Sequence, residues 1–98
     1  MGYVACSGIK LDRIEGELAR SYQRLLNRFK RPAESGEDFQ LARASMVKSQ
    51  KAWAAYVQAD CTLQDSLLGT GNASPGMALD CRMRHVRERT ARLKSFGG

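Results

Sequence analysis

Apolar residues recur every three or four positions in three separate stretches of this chain, and that spacing limits what it can fold into more than any other feature. From about Lys10 to Lys30 the stripe is Leu11, Ile14, Leu18, Tyr22, Leu25 and Phe29, and nothing there alternates as a half-buried strand would. From about Glu37 to Asp65 it is Phe39, Ala42, Met46, Trp53, Val57 and Cys61, with a polar interruption from Lys48 to Lys51. From about Met77 to Phe96 it is Leu79, Met83, Val86, Thr90 and Leu93. Side chains so spaced share one face of an α-helix, so each stretch predicts a helix with one stripe to bury. The expectation is an all-α fold, an antiparallel three-helix bundle forming a single domain over residues 1–98. A chain of this length buries only about two thirds of its surface on folding, so a cross-link would help it.

The segments between the stripes carry their own signals. Asp12, Glu15 and Glu17 lie early in the first stretch while Arg24, Arg28 and Lys30 close it, the arrangement the helix dipole favours. Gly16 costs about 1 kcal/mol against alanine in a helix, so that part of the first helix relies on packing. "RPAESGED", residues 31–38, reads as the turn that follows, with Ser35 and Asp38 resembling a capping box. Gln50 falls on the buried side of the second helix, where its amide needs a backbone group or another helix to bond. "LLGTGNASPGMA", residues 67–78, is a Gly-rich loop between the second and third helices, longer than a bare connection requires. Its centre, Gly69, Thr70, Gly71, Asn72, Ala73, Ser74 and Pro75, has no charge and is the candidate binding loop, because long loops in compact domains often carry function.

Sixteen basic residues against ten acidic ones give a net charge of +6, with the excess at the two ends of the chain. This balance permits nucleic acid, acidic lipid, a cell-wall polymer or an acidic protein as partner and selects none of them. The run "RMRHVRERTARLK", residues 82–94, is the candidate nucleic-acid element. Yet the apolar stripe claims the middle of that helix, Glu88 interrupts its positive face, and no aromatic platform accompanies it. Arg82, Arg89 and Arg92 flank the stripe on one side and Arg84, Arg87 and Lys94 on the other, so their stems can lie on the seam while their heads stay in water. Nucleic acid is therefore not the expected partner, although a cytosolic basic module acting through the third helix stands as the alternative. No apolar run approaches the roughly 18 residues that span a bilayer.

Cysteine chemistry leaves more than one state open. Cys61 near the end of the second helix and Cys81 near the start of the third can come within disulfide reach if the helices turn back on each other. They can equally be two buried thiols in a reducing compartment. Cys6, Cys61, Cys81 and His85 could be assembled into a zinc set, but there is no Cys-x-x-Cys knuckle. His85 sits just outside the apolar stripe, where an exposed side chain is expected, so neither a metal nor a cofactor is expected. A cysteine enzyme would need His85, the one histidine, as base one turn from Cys81 on the same helix instead of across a cleft. Paired carboxylates, a phosphate loop and a serine elbow are missing from the sequence, so no enzymatic activity is expected.

Cys6, Glu15, Leu18 and Tyr22, then Gln50, Lys51, Trp53 and Cys61, then Gly71, Pro75, Cys81, Arg89 and Leu93 follow in an order that resembles one bacterial family, the domain named after the N-terminal part of the lysozyme inhibitor LprI. The likeness covers almost the whole chain, and the spacing from Gln50 through Trp53 to Cys61 is its most specific part. It implies Leu18, Tyr22, Gln50, Trp53, Arg89 and Leu93 as a structural signature, and export to the periplasm or envelope. Export in turn implies a Cys61–Cys81 disulfide. Val57 and Gln58 stand where members usually carry Arg-Asp, and Val86 where a threonine is common, so a polar network at those positions is not expected. Members also tend to have a further cysteine upstream that would pair with Cys6. The resemblance implies a small exported binding protein with a protein partner, an inhibitor or immunity protein for a lysozyme-like cell-wall hydrolase or toxin. Common lysozymes are strongly basic, and long-range repulsion from a +6 chain would slow their association. The target is therefore expected to be acidic or neutral, or to be met through a locally uncharged surface.

Overall fold

The computed structural model describes residues 3–34, 36–68 and 75–98, with side chains over 8–34, 36–67 and 79–98. Among these residues the chain forms three helices and no strand: α1, Tyr3–Phe29; α2, Phe39–Leu68; and α3, Pro75–Ser95. α1 begins well before Lys10, where the stripe starts. Adding residues to an existing helix gains a hydrogen bond for each one fixed, and no proline interrupts the stretch, so the helix outruns its apolar pattern. α2 likewise continues past Asp65, and α3 opens on Pro75, whose missing N–H costs nothing in a helix's first turn. The connection is thus residues 69–74, so Gly69, Thr70, Gly71, Asn72, Ala73 and Ser74 of the expected binding loop lie outside the described residues. Pro75 belongs to α3.

Asp38 caps the start of α2: its Oδ1 accepts the Leu41 N–H at 2.9 Å, and its carbonyl oxygen accepts the Ala42 N–H at 3.0 Å. The expected box from Ser35 to Asp38 is corrected accordingly, since Asp38 is the cap itself and Ser35 lies outside the described residues. At the far end of α3, Gly97 takes φ +103°, its N–H reaches the Lys94 carbonyl at 3.0 Å, and Gly98 N–H reaches the Leu93 carbonyl at 2.9 Å. This is a Schellman close, which needs a residue free to adopt positive φ at Gly97. Arg28 of α1 donates to the Phe96 carbonyl at 3.1 Å and so ties the end of α1 to the same cap.

Helices α1 and α3 run parallel and α2 runs antiparallel to both, an up-down-up bundle. Its core is Leu11, Ile14, Leu18 and Leu25 from α1, Met46 from α2, and Met83, Val86 and Leu93 from α3. Tyr22, Phe29, Trp53 and Leu79 pack around it half-buried. The α1–α3 seam carries most of the packing. α2 lies across it with a lighter footprint, so Phe39, Ala42, Trp53 and Cys61, expected inside, are half-buried instead. Glu15 pairs with Arg82 at 3.3 Å and Glu17 with Lys94 at 2.6 Å along the outside of the seam. The Lys94 ammonium holds the Glu17 carboxyl below its ordinary range, but both groups are solvated and such pairs contribute little. No described buried side-chain nitrogen or oxygen lacks a partner. Fully buried Ser21 accepts from Arg24 at 3.0 Å, and Thr90 donates to the Val86 carbonyl at 2.9 Å.

Candidate functional site

One side of the α2–α3 pair is open. Trp53, Tyr56 and Asp60, three and four residues apart on α2, face Arg84, His85, Glu88, Arg89 and Arg92 of α3 across a groove of about 550 Å³. Both rows follow helical spacing, which is why two straight helices present them to one another. At the head of the groove the Cys61–Cys81 disulfide joins the helices with Cα atoms 5.8 Å apart. That bridge brings the next residues into register. Asp60 Oδ2 lies 2.6 Å from His85 Nε2, and the Tyr56 ring meets the imidazole edge-on with centroids 5.6 Å apart.

His85 is therefore not the exposed side chain its place beside the stripe suggested: it is 7% exposed. The periodicity of α3 marks the face turned to α1, whereas His85 is covered from α2, which supplies both a carboxylate and an aromatic edge. Arg84 sits at the rim, 4.0 Å from Asp60 Oδ2 and 4.0 Å from Cys81 Sγ. Further along, Arg89 donates from Nε to Gln50 Oε1 at 2.9 Å and from Nη2 to Ser49 Oγ at 2.6 Å. Gln50 thus finds its partner on another helix, as a half-buried amide. Burial, aided by the charge of Arg92, lowers the Arg89 pKa from its ordinary value. A guanidinium remains charged through such a shift. Arg92 stacks over the Phe96 ring at 4.4 Å.

Three guanidinium groups and two aromatic side chains on a fixed frame suit a carboxylate or another acceptor brought in by a partner, because guanidinium–carboxylate bonds are charge-assisted and directional. Trp, Tyr and Arg are also the residue types that most often anchor protein interfaces. Cys81 is bonded to Cys61, so it offers no thiolate for His85 to activate. The outward face of α2 adds a second property: from Ala52 to Ala59 it has no charge, and Ala52, Ala54, Ala55, Tyr56, Gln58 and Ala59 are exposed. On α3 the basic run is divided by its partners. Arg82 goes to Glu15, Lys94 to Glu17, Arg84 to Asp60 and Arg89 to Gln50, which leaves no continuous cationic stripe for a phosphate backbone.

Of the residues singled out from sequence, Gln50, Trp53, Cys61, Cys81 and Arg89 come together along this groove, while Leu18 and Leu93 lie in the core and Tyr22 packs against it. Tyr56, Asp60, Arg84 and His85 were not singled out as a group. The signal was present nonetheless: once Cys61 pairs with Cys81, Asp60 one residue before and His85 one turn after must meet.

Fold and groove define a small, disulfide-stapled helical scaffold with a polar groove between α2 and α3. The model of one family, lysozyme inhibitor LprI, matches residues 1–93. The chain belongs to that family. No curated protein and no solved structure matches it. No described helix is long and apolar enough to cross a membrane.

Proposed function

We propose that this protein is an exported inhibitor that binds a lysozyme-like cell-wall hydrolase and blocks it through the α2–α3 groove, with residues 69–75 as a further candidate contact. The observation that carries the reading is the match of residues 1–93 to a family of lysozyme inhibitors. The groove supplies a physical reason for it. Glycoside hydrolases of this kind work with a pair of carboxylates in a cleft, and Arg92, with the donors that Arg84 and Arg89 keep beyond their contacts with Asp60, Gln50 and Ser49, can offer those carboxylates directional bonds at short range. The uncharged flank from Ala52 to Ala59 lets a partner approach without facing the net charge of the chain, and Trp53 and Tyr56 supply area at little entropic cost. In this account Leu18, Tyr22 and Leu93 maintain the scaffold, while Gln50 and Ser49 hold the Arg89 head in place.

The test is to titrate the oxidised chain into a panel of peptidoglycan hydrolases that includes basic, neutral and acidic members, following turnover of cell-wall substrate. The expected result is saturable inhibition of at least one member, with a smaller association rate for strongly basic enzymes that recovers as salt is raised. A panel in which no enzyme is slowed or bound contradicts the proposal.

A further inference from the structure

The disulfide at the head of the groove has a third donor beside it. The Sγ atoms of Cys61 and Cys81 and a ring nitrogen of His85 all lie within 4.8 Å of one another. Two sulfurs and an imidazole form a donor set that zinc favours. Zn–S bonds of about 2.3 Å and Zn–N bonds of about 2.0 Å in a tetrahedral site separate such donors by roughly 3.6 to 3.8 Å, so small rotations of these side chains would suffice. Cys81 and His85 stand one turn apart on α3, at 3% and 7% exposure, and Cys61 faces them from α2. The cluster is therefore sheltered and spans the same two helices that the disulfide joins.

In the oxidised chain the two sulfurs are bonded to each other and offer no thiolate. We propose that reduction of Cys61–Cys81 converts this staple into a zinc site, with Cys61, Cys81 and His85 as ligands and a water in the fourth position. The reductant is an external dithiol. Its thiolate attacks one cystine sulfur, and its second thiol then displaces the mixed disulfide, leaving two protein thiols and an oxidised reductant. Zinc binding releases the two thiol protons as both sulfurs become ligands. Two neighbours prepare the site for this step. Asp60, 2.6 Å from His85 Nε2, can accept that N–H and orient the ring, which leaves the lone pair of the neutral imidazole on Nδ1. Arg84, 4.0 Å from Cys81 Sγ, favours the thiolate. Either state of the site cross-links α2 to α3, one covalently and the other through the metal, so the groove would be kept under oxidising and reducing conditions alike. This inference does not depend on the hydrolase reading.

The probe is cobalt(II), which takes zinc's place and reports its own coordination. The full chain carrying Cys6→Ser, to remove the third thiol, is reduced with a phosphine under anaerobic conditions and titrated, with helicity followed by circular dichroism. The expected result is one equivalent of cobalt with thiolate charge-transfer and strong tetrahedral ligand-field bands, displaced by zinc and absent from the oxidised chain. His85→Ala should weaken binding by about 10-fold or more, and Asp60→Asn by about 10-fold as a positioning residue. A reduced chain that takes up no cobalt, whether it stays helical or melts, overturns the proposal. So does binding that His85→Ala leaves unchanged.

Discussion

Arg89 shows how one residue joins scaffold and surface. Its guanidinium is half-buried, bonded to Gln50 and Ser49 of α2, and lines the groove beside Trp53. Removing the acceptor strands part of a desolvated charge, so Gln50→Leu should destabilise the fold by about 1 to 3 kcal/mol in urea unfolding. Arg89→Leu should cost a similar amount, and the double variant should cost clearly less than the sum, because each change removes the same bond. Additive losses would show that the pair is not coupled. At this scale the sequence announced that Gln50 needed a partner but could not say which. Spacing along α3 reports only the face turned to α1, so it gives no sign that His85 is buried. The covering atoms, from Tyr56 and Asp60, belong to another helix.

The helices differ in how they are held. α1 and α3 share the apolar seam, whereas α2 leans on that pair with Met46, Val57 and half-buried Trp53. An element with a lighter footprint depends more on its ends. Asp38→Ala removes the side-chain acceptor for the Leu41 N–H and should cost about 1 kcal/mol. Hydrogen exchange should place that loss in the first turn of α2, and equal exchange in the two proteins would mean Asp38 is not the operative cap. The stripes Leu11 to Phe29 and Leu79 to Leu93 made the helices legible because burial on one face leaves a period in the sequence. Their ends were less legible. Helix termini follow from caps and propagation, so α1 reaches back to Tyr3 and α3 to Pro75, beyond the stripes that mark their middles.

For the whole molecule, the bundle is small and one face of α2 stays uncovered, so the Cys61–Cys81 bridge matters to its stability. Closing a loop of 20 residues should contribute about 3 kcal/mol in the chain-entropy model, and reduction in the presence of a metal chelator should lower the melting temperature accordingly. An unchanged melting temperature would mean that packing alone holds α2 in place. Periodicity left the state of these two cysteines open, because a bridged pair and two buried thiols have the same sequence spacing. Resemblance to an exported family supplied what spacing could not. In the proposed function, this stapled scaffold presents the α2–α3 groove to a cell-wall hydrolase. Its most direct test compares inhibition by the oxidised chain with inhibition by an Arg84→Glu, Arg92→Glu double variant of matched melting temperature, on a hydrolase the parent slows. The variant should lose inhibition by at least about 10-fold, the effect of removing roughly 1.4 kcal/mol of binding. Inhibition undiminished in the variant would contradict it.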